Sequence, residues 1–429
     1  MYISTEELYS IYLDHPAIST DSRRIEQGSL FFALKGDNFD GNKYAGIALD
    51  TGASYAVIDD VAYAGAKTLL VLDVLDSLQQ LALFHRRKFN IPVIAITGSN
   101  GKTTTKELIN AVLGQQFHVT ATKGNFNNHI GVPLTLLGIT NETQIAIVEM
   151  GANHQLEIAQ LCQLAEPTHG LITNIGRAHL GGFGGYEGVI KAKSELYTWL
   201  RNTDGTVFVN AGNPLLMKLS AGMKRILYGT DEGINTQGIA KTGTSNLELD
   251  WFSNNGKITL QTNLVGNYNF ENVLASICMG TFLNVPPDKI KTAINSYMPS
   301  NSRSQALKTE RNSIILDAYN ANPTSMQVAI ENFRQVEALH KMVILGDMLE
   351  LGQESAVEHL SIVKLVEKSG FERAIFVGPD FKAVASGKFT CFNNSEEAFD
   401  WFQKEQIKDF TILVKGSRGI KMEKVLEAL

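Results

Sequence analysis

The 429-residue sequence predicts an α/β fold of three domains, because short apolar strands alternate with helix-length segments along most of the chain. This alternation restarts at Pro92, just before the apolar run IPVIAI, and again after the polar stretch MPSNSRS near residue 300. The two restarts predict domains over residues 1–90, 91–298 and 299–429. Each is long enough to enclose a hydrophobic core.

The composition is that of an ordinary globular protein, with 44% hydrophobic and 19% charged residues and a formal net charge of −6. Such a chain offers no basic surface for nucleic acid or a membrane, and no apolar run approaches the roughly 20 residues that span a bilayer. Cys162, Cys278 and Cys391 are far apart and are typical of reduced thiols. The N-terminus lacks the pattern of a signal peptide, so we expect a cytoplasmic protein. A monomer is the default expectation.

The first domain is predicted from short strands at LFFAL, Ser54–Ile58 and Thr68–Val71, with a helix near Ser77–Phe89 at its end. The residues of this domain show the same alternation as the rest of the chain, so it too is predicted to be α/β.

The central domain begins with IPVIAI, whose unbroken apolar run is typical of a strand buried in a parallel sheet. Residues 226–265 are polar with short alternating runs, which predicts antiparallel strands added at one edge. The other predicted elements are strands at Ile145–Glu149, Leu171–Asn174 and Val207–Asn210 and a helix over Asn269–Leu283. This is the pattern of a P-loop-type, mostly parallel sheet.

The third domain is predicted to be doubly wound and Rossmann-like, because four strands again alternate with helices. These strands are expected at Ser313–Asp317, Met342–Gly346, Ala374–Gly378 and Thr411–Lys415. The stretch before them, Pro299–Ser304, is predicted to be an interdomain linker, and Pro299–Arg303 is the predicted hinge.

The segment TGSNGKTTTKE, which follows IPVIAI, is the most informative motif. A strand, a Gly-containing turn with Lys-Thr and then a helix form a phosphate-binding loop, in which backbone N–H groups, the helix dipole and a lysine face an anion. Two residues, instead of the usual four, separate the two glycines, so an ordinary Gly-rich turn is the alternative. The residues predicted to bind ATP here are Gly98, Ser99, Asn100, Gly101, Lys102, Thr103 and Thr104.

Three further residues are candidates for binding a divalent cation. Glu149 ends a predicted strand of the same sheet, where a Mg²⁺ ligand is expected, although a solvent-facing or helix-capping glutamate is the alternative. His179 lies in the Gly-rich segment that follows another strand, a position where loops carry function, although a surface histidine or a satisfied core histidine is the alternative. Lys193 lies on a predicted amphipathic helix, and periodicity does not distinguish it from Lys191, so residue pattern alone favours a surface lysine.

The ordered motif blocks resemble those of the Mur ligase family over essentially the whole length. After TGSNGKTTTKE come TKGNFNNHIGVPLTLL, VEMGANHQLEI, TNIGRAHL, IKAKSEL, GNYNFENVLAS, LDAYNANPTSM, ILGDMLELG and LVKGSRGIKME, in the order that the family shows. DAYNANP and GDMLELG point to the member that adds D-alanyl-D-alanine. The resemblance implies an ATP-dependent ligase of peptidoglycan precursor synthesis.

The resemblance also implies a role for individual residues. Lys102 would contact the β- and γ-phosphates, Asn269 and Asn272 would lie beside adenine, and Arg303 and Asp317 would reach phosphate and ribose.

For metal, the resemblance implies that Thr103 and Glu149 hold one Mg²⁺ and that His179 and Lys193 hold a second, with Lys193 carbamylated by CO₂. A carbamate replaces a cation that repels Mg²⁺ with an anionic oxygen ligand. Lys102, Glu149, His179 and Lys193 are therefore the implied catalytic residues.

The implied substrates are UDP-N-acetylmuramoyl-tripeptide and D-alanyl-D-alanine. The first is expected to contact the UDP-side residues Ser22, Arg23, Lys35 and Gly36 and the muramyl-peptide-side residues Asn125, Asn127 and Asn128. Asn320 and Asn322, in YNANP, could contact the dipeptide, or could simply satisfy backbone groups of an Asn-rich turn. The implied reaction passes through an acyl phosphate and yields UDP-N-acetylmuramoyl-pentapeptide, ADP and phosphate.

The sequence departs from the family pattern at Asn42, where His is usual, at Leu156, where Gly is usual, and at Tyr268, where His is common. Two alternatives are a folate-polyglutamylating ligase and a ligase that adds diaminopimelate. The nucleotide-sugar domain argues against the first, and the missing DNPR-type block against the second. A P-loop regulatory ATPase, which would need no second metal-binding set, is an alternative of another class.

Overall fold

The computed structural model describes residues 2–241, 246–253, 256–299 and 305–429. Arg303 and the predicted linker, apart from Pro299, lie outside the described residues, and the roles predicted for them stay predictions.

The strands of the described chain, in order, are β1 (Ile18–Ser19), β2 (Leu30–Phe32), β3 (Lys35–Gly36), β4 (Phe39–Asp40), β5 (Tyr55–Ile58), β6 (Thr68–Leu70), β7 (Val93–Thr97), β8 (Val119–Ala121), β9 (Ile145–Glu149), β10 (His169–Ile172), β11 (Thr206–Asn210), β12 (Lys224–Gly229), β13 (Thr236–Ala240), β14 (Asn246–Ser253), β15 (Gly256–Val265), β16 (Gln305–Lys308), β17 (Ser313–Asp317), β18 (Lys341–Gly346), β19 (Arg373–Val377), β20 (Thr390–Phe392) and β21 (Thr411–Lys415).

The α-helices are α1 (Thr5–Asp14), α2 (Ala45–Thr51), α3 (Val74–Arg86), α4 (Lys102–Leu113), α5 (Gly131–Leu137), α6 (Glu157–Ala165), α7 (Leu180–Phe183), α8 (Tyr186–Asn202), α9 (Pro214–Leu219), α10 (Phe270–Phe282), α11 (Pro287–Ser296), α12 (Pro323–Gln335), α13 (Ser355–Ser369), α14 (Pro379–Ala385) and α15 (Ser395–Glu405).

The first of two compact units contains Met1–Ala95, Phe117–Gly151 and Glu157–His169. One of its sheets has the order β1-β2-β5-β6 with all neighbours parallel, and β3 and β4 form a small antiparallel hairpin. The unit also holds the start of β7 with β9 and β8, in the order β7-β9-β8, and β8 is parallel to β9. A core that includes buried Phe31, Ala56 and Ile58 stabilises the first of these sheets.

The second unit contains Ile96–Gln116, Ala152–Leu156 and Gly170–Leu429. One sheet has the strand order β15-β14-β13-β12-β11-β10, followed by the end of β7. The pairs β11–β12 and β12–β13 are parallel, whereas β13–β14 and β14–β15 are antiparallel. The antiparallel strands predicted for residues 226–265 are therefore confirmed for β13, β14 and β15, whereas β12, most of which lies in the same range, is parallel to both of its neighbours.

A separate sheet of the second unit has the order β16-β17-β21-β18-β19-β20. All its neighbours are parallel except β16, which runs antiparallel to β17. Buried Ile344, Val414, Phe402 and Met422 are part of the core that packs against it. The α/β fold class with mostly parallel sheets is confirmed, while the domain boundaries at residues 90 and 298 stay predictions.

Local sequence explains where several helices begin. The side chains of Asp73, Asn322 and Asn394 accept hydrogen bonds from backbone N–H groups in the first turns of α3, α12 and α15. None of the described helices has the length and apolar character that crossing a lipid bilayer would require.

Candidate active site

The loop between β7 and α4 is built around two glycines with left-handed backbones, Gly98 with φ +143° and Gly101 with φ +79°. A Cβ at Gly98 would collide with the Thr173 hydroxyl, and one at Gly101 would lie 2.6 Å from Asn272 Oδ1. Gly101 directly precedes α4, a 12-residue helix. The glycines therefore allow the backbone to approach its neighbours closely at a helix N-terminus, which is the geometry of an anion site.

Hydrogen bonds from the segment after β10 hold this loop in place. The Asn100 carbonyl accepts bonds from Thr173 Oγ1 at 2.6 Å and Asn174 Nδ2 at 3.1 Å, and the Asn100 N–H donates to Asn174 Oδ1 at 3.1 Å. The Ser99 hydroxyl donates to the Gly176 carbonyl at 3.1 Å and accepts from the Gly176 N–H at 2.9 Å. Hydrogen bonds to Ser99 and Asn100 therefore fix the shape of the loop through contacts within the protein.

Lys102 is the first residue of α4, and its ammonium group lies over the loop. Nζ donates to the Gly98 carbonyl at 2.8 Å and to the Ser99 carbonyl at 3.4 Å. Thr103 and Thr104, the next two residues, are 5% and 9% exposed. The structure therefore brings the predicted phosphate-binding residues together, with the lysine cation at the helix N-terminus.

Asn269 and Asn272 connect α10 to the helix that carries the phosphate loop. The Thr105 hydroxyl donates to Asn272 Oδ1 at 3.0 Å, Asn272 Nδ2 donates to Asn269 Oδ1 at 3.1 Å, and Asn269 Nδ2 donates to the Val265 carbonyl at 3.0 Å. Both asparagines are buried. They position α4, and contact with adenine stays a prediction.

Glu149 is the last residue of β9, in the first unit, and is 1% exposed. Its Oε1 accepts a hydrogen bond from Asn127 Nδ2 at 2.8 Å, and its N–H donates to Thr122 Oγ1 at 3.0 Å. A buried carboxylate at a strand end is not the exposed or capping glutamate of the alternative interpretation. Asn127 therefore fixes the orientation of the Glu149 carboxylate, and the contacts of both residues with ligands stay predictions.

Asn125 and Asn128 belong to the same loop as Asn127. Asn128 Oδ1 accepts from the N–H of Gly131 at 2.9 Å and from that of Ile130 at 3.2 Å, at the start of α5. The Asn125 carbonyl accepts from the Asn127 N–H at 2.7 Å, so the loop is internally bonded. The muramyl-peptide contacts predicted for these residues stay predictions.

His179, in the second unit, precedes α7 and has φ +53°. Its Nδ1 is in direct ion-pair contact with Oε2 of Glu350, a residue of the turn after β18. This contact with the imidazole lowers the pKa of Glu350 below its ordinary value, although partial burial acts in the opposite direction.

Lys193 is buried on the inner face of α8, at 2% exposure, whereas Lys191 on the same helix is exposed. The Lys193 ammonium lies 5.3 Å from the centre of the Phe183 ring. The surface interpretation of Lys193 is therefore wrong, because the helix turns this side chain inward. A buried lysine is a common site of unusual chemistry.

In the C-terminal part of the second unit, Asp317 ends β17 and faces Lys415 of β21. Lys415 Nζ donates to Asp317 Oδ2 at 2.5 Å and to the Asn320 carbonyl at 3.3 Å. Asn320 Oδ1 accepts from the Ala321 N–H at 2.9 Å. Asp317 thus already has a cationic partner, and its predicted contact with ribose stays a prediction.

Asn322 caps α12 through Oδ1, which accepts from the Ser325 N–H at 2.9 Å. This is the capping geometry of the alternative interpretation of YNANP, and the dipeptide contacts of Asn320 and Asn322 stay predictions.

Arg177 follows the segment that holds the phosphate loop and makes ion pairs with α13 and the turn before it. Nη2 lies 2.7 Å from Glu354 Oε2, and Nε lies 2.8 Å from Glu358 Oε1. Hydrogen bonding to Glu354 raises the pKa of Arg177. The Arg177 N–H also donates to Thr324 Oγ1 at 3.0 Å, so this segment contacts two helices of the C-terminal part.

The residues predicted to contact UDP lie in the first unit. Arg23 pairs with Asp21 at 2.8 Å and is exposed. Lys35 of β3 pairs with Asp59 at 2.7 Å. Burial raises the pKa of Asp59, but hydrogen bonds from Lys35 and Asn42 outweigh it and leave the pKa below its ordinary value.

Asn42, where the family usually has His, is completely buried. Its Nδ2 donates to Asp40 Oδ1 at 2.9 Å and Asp59 Oδ1 at 2.8 Å. Asn42 therefore links Asp40 to Asp59 and helps to orient the Asp59 carboxylate, which pairs with Lys35. Ser22 lies in the turn after β1 and Gly36 ends β3, and their contacts with UDP stay predictions.

The donor set that the sequence predicts for Mg²⁺ fits a hard cation, since it contains hydroxyl, carboxylate and imidazole groups. Glu149 and Lys193 are 1% and 2% exposed, and their roles in holding Mg²⁺, including the carbamylation of Lys193, stay predictions. Within the described ranges no three His, Cys, Asp or Glu side chains gather in a metal-binding group.

Three residues that make contacts around the candidate site were not predicted from the sequence. Asn174 holds the phosphate loop, and Arg177 and Glu350 join the central and C-terminal parts of the second unit. For Asn174 a signal existed, because Thr-Asn directly follows the apolar run GLI and so lies at a strand end. For Arg177 and Glu350 the chain gives no such signal, since their partners are more than 150 residues away.

The site combines a Gly-rich loop at a helix N-terminus with a lysine over that loop and with buried polar residues in α/β sheets. This combination defines a nucleoside-triphosphate-binding enzyme. Family models agree with the motif blocks. Residues 16–86 match the Mur ligase family catalytic domain, residues 96–280 the Mur ligase middle domain, and residues 302–418 the Mur ligase glutamate ligase domain.

Curated relatives match over nearly the whole chain. UDP-N-acetylmuramoyl-tripeptide–D-alanyl-D-alanine ligase from Bacillus subtilis (strain 168) is 35% identical, covering 96% of this chain and 92% of the relative. The enzyme of the same name from Escherichia coli (strain K12) is 32% identical, covering 99% and 95%. The chain belongs to the Mur ligase family.

Solved structures show the same fold. MurF from Acinetobacter baumannii matches with a TM-score of 0.86 at 30% identity, covering 96% of this chain and 92% of that one. MurF ligase from Thermotoga maritima, solved in complex with ADP, matches with a TM-score of 0.84 at 25% identity and covers 96% of both chains.

Proposed function

We propose that this chain is an ATP-dependent ligase that joins D-alanyl-D-alanine to the terminal carboxylate of UDP-N-acetylmuramoyl-tripeptide, in the synthesis of the peptidoglycan precursor. The products are UDP-N-acetylmuramoyl-pentapeptide, ADP and phosphate. The observation that carries the proposal is the loop Gly98–Gly101, which hydrogen bonds hold in place, with Lys102 at the N-terminus of the following helix. The names of the full-length relatives of this chain state the same activity.

The reaction has two chemical steps. The peptide carboxylate attacks the γ-phosphate, which gives an acyl phosphate and ADP. The free amine of D-alanyl-D-alanine then attacks the acyl carbon, and phosphate leaves. Both reactants of the first step are anions, so positive charge and oriented N–H groups must offset their repulsion.

The chain's own residues supply this stabilisation. The N-terminus of α4 would face the phosphates with its backbone N–H groups, and Lys102 would move from the carbonyls of Gly98 and Ser99 to the triphosphate. Asn174 keeps the loop in shape while this exchange occurs, because it bonds both the N–H and the carbonyl of Asn100. The loop needs little rearrangement, which favours catalysis by preorganised charge.

Thr103, Glu149, His179 and a carbamylated Lys193 are the residues that would hold two Mg²⁺ ions. When bound, Mg²⁺ neutralises charge that develops on the transferred phosphoryl group. Asn127 orients the Glu149 carboxylate, and Phe183 lies beside the Lys193 side chain. The burial of Glu149 and Lys193 removes water that would otherwise compete for them.

Contacts between the C-terminal part of the second unit and the phosphate loop would help to exclude water from the acyl phosphate. Asn322 Nδ2 donates to Asn100 Oδ1 and the Arg177 N–H donates to Thr324 Oγ1, so the C-terminal part contacts the phosphate loop and the segment that holds it. A covered site protects an intermediate that water would hydrolyse.

A co-substrate screen tests the proposal. ADP and phosphate release should require both D-alanyl-D-alanine and UDP-N-acetylmuramoyl-tripeptide, and mass spectrometry should detect the pentapeptide. The tripeptide is supplied with lysine and, separately, with diaminopimelate as its third residue. Turnover of ATP without either co-substrate would instead indicate a regulatory ATPase, and turnover with glutamate or diaminopimelate as the added amine would indicate another ligase.

A further inference from the structure

Three turns meet at the carboxyl edge of the C-terminal sheet. Strands β17, β21 and β18 are parallel neighbours, so the turns that follow them, at residues 318–322, 416–421 and 347–350, lie side by side. In open parallel sheets this is the edge where ligands bind. In the first of these turns, Asn322 Nδ2 lies 2.7 Å from Asn100 Oδ1 of the phosphate loop. The edge is therefore next to the loop where ATP is expected to bind.

Buried Ser417 joins the three turns. Its hydroxyl accepts from the Leu349 N–H at 3.0 Å and donates to the Ala321 carbonyl at 3.3 Å. Its own N–H donates to the Asp347 carbonyl at 3.1 Å. These bonds fix the backbone directly before Arg418, so the point from which the Arg418 side chain extends is fixed as well.

Arg418 is an exposed cation that lies against an aromatic ring. Its guanidinium carbon is 5.6 Å from the centre of the Tyr319 ring, in the neighbouring turn. Within the described part of the chain Arg418 forms no ion pair, whereas nearby Lys415 Nζ lies 2.5 Å from Asp317 Oδ2. An arginine on an aromatic face is held in place by the ring, and the N–H groups in its plane can still donate to a second partner.

The chemistry of a guanidinium matches a carboxylate, because its planar N–H groups can donate two parallel hydrogen bonds to the two oxygens. The other anions of the proposed reaction have different expected partners. The triphosphate is expected at Lys102 and α4, and the diphosphate of UDP at residues of the first unit. The tripeptide carboxylate is consumed in the reaction. The terminal carboxylate of D-alanyl-D-alanine persists throughout and still needs a cation.

The length of the dipeptide agrees with this pairing. Two extended residues span about 7 Å. Tyr319 and Asn322 are three residues apart, so their Cα atoms are separated by at most about 11 Å. A dipeptide whose amine faces the phosphate loop is thus long enough, together with the arginine side chain, for its carboxylate to meet Arg418 beside Tyr319.

We propose that Arg418 binds the C-terminal carboxylate of D-alanyl-D-alanine and so selects a dipeptide with a free carboxyl end. In naming the dipeptide, the inference rests on the proposed function. Tyr319 holds the guanidinium, and Ser417 holds the turn that carries it. Binding one end of the dipeptide in this way directs the amine at the other end toward the acyl phosphate.

A pair of substrates tests the role of the carboxylate. D-Alanyl-D-alanine and D-alanyl-D-alaninamide differ in whether the C-terminal group is anionic or neutral. For the wild-type chain we expect kcat/KM to be about 10- to 100-fold lower with the amide, because hydrogen bonds between two charged groups are lost. In Arg418→Gln, kcat/KM with the acid should fall by a similar factor, and acid and amide should become nearly equivalent. KM for ATP and for UDP-N-acetylmuramoyl-tripeptide should not change.

Arg373→Gln is the matched control. Arg373 also lies on an aromatic ring, 5.8 Å from the centre of Phe410, but it begins β19 and is therefore at the amino edge of the same sheet. This variant should keep the kinetics of the wild-type chain with both substrates. Arg418→Lys keeps the charge but not the planar guanidinium, so it should retain only part of the preference for the acid.

Equal use of acid and amide by the wild-type chain, or an unchanged preference in Arg418→Gln, would overturn the role of Arg418. A rise in KM for ATP alone in Arg418→Gln would also overturn it, because Arg418 would then bind phosphate. Absence of pentapeptide with the wild-type chain is a different result, since it would reject the proposed function and the role of Arg418 with it.

Discussion

Asn322 Nδ2 donates a hydrogen bond to Asn100 Oδ1 at 2.7 Å, which joins the first residue before α12 to the phosphate loop across 222 residues of sequence. The other end of the Asn322 amide caps α12 by accepting from the Ser325 N–H. The Asn322 side chain therefore has two structural roles. Its Oδ1 caps the start of α12, and its Nδ2 joins that helix to the loop where ATP is expected to bind.

Asn322→Ser should separate these two functions. Serine is a good N-cap residue, so the helix should keep its stability, but its side chain is too short to reach Asn100. We expect an unchanged unfolding midpoint and a 3- to 10-fold rise in KM for ATP, equivalent to about 1 kcal/mol for a lost hydrogen bond. Steady-state kinetics measure both substrates, and a rise in KM for D-alanyl-D-alanine alone would instead assign Asn322 to dipeptide binding.

Lys102→Ala should remove the cation from the phosphate loop. Loss of one electrostatic stabiliser costs about 2–4 kcal/mol in the transition state, so kcat/KM should fall roughly 10²- to 10³-fold. Calorimetry with a non-hydrolysable ATP analogue should show weaker binding as well. Lys291→Ala, at an exposed lysine of α11, is the control. Near-normal turnover in Lys102→Ala would reject the phosphate-loop assignment.

The sequence predicted the elements with strongly periodic patterns very closely. Strands at Ile145–Glu149, Ser313–Asp317 and Thr411–Lys415 have the predicted bounds, because an apolar run bounded by polar residues specifies a buried strand at both ends. Leu156, noted as a departure where Gly is usual, has φ +72°. A family glycine at that position is explained by this backbone conformation, which leucine adopts here at a cost.

The site was predictable only where a motif is local. The phosphate loop is encoded in eleven consecutive residues, so its glycines and lysine could be assigned from sequence. Burial of Lys193 could not be assigned, because Lys191 and Lys193 are only two residues apart on α8, with Ala192 between them, and packing decides which one is covered. Contacts such as Glu350 with His179 depend on the tertiary fold and have no sequence signature.

Lys193→Ala should abolish ligase activity, and a short carboxylate such as formate or acetate should partly restore it. The reason is that a carbamate would act as an oxygen ligand, and a small carboxylate can occupy the space left by the truncated side chain. Lys191→Ala, on the exposed face of the same helix, should be active without rescue. Intact-mass analysis of the wild-type chain under CO₂ should detect an added carboxyl, and full activity of Lys193→Ala would contradict this role.

Asn312→Ala should destabilise the C-terminal sheet. The buried side chain donates to the Ile407 carbonyl at 2.9 Å and the Leu429 carbonyl at 2.7 Å, and it accepts from the Phe410 N–H at 3.1 Å. Loss of these bonds leaves buried polar groups unsatisfied and should lower the free energy of unfolding by about 2–3 kcal/mol. Hydrogen exchange at β17 and β21 should accelerate roughly 30- to 150-fold. Gln403→Ala, at an exposed position of α15, should leave exchange unchanged.

The first unit should lose stability in mild acid because of His85. The ring is 5% exposed, its Nε2 lies 2.8 Å from the Ile139 carbonyl, and its Nδ1 lies 3.2 Å from the Tyr9 hydroxyl. Burial lowers the pKa of His85 below its ordinary value of 6.5, and the bond to the Ile139 carbonyl only partly opposes this.

The unfolded chain therefore binds this proton more tightly than the folded chain does. The contribution of His85 to the free energy of unfolding should be greatest at pH values above 6.5, the ordinary pKa of histidine. It should be lost as the pH falls from 6.5 toward the lowered pKa of His85 in the folded chain. Urea unfolding of wild type and His85→Gln, compared between neutral pH and about pH 5, measures the effect, since glutamine can keep a donor to Ile139 but cannot be protonated. The variant should lose less stability over this range, whereas His118→Gln, at an exposed histidine, should follow the wild-type curve. Parallel curves for wild type and His85→Gln would show that the acid sensitivity of this unit has another origin.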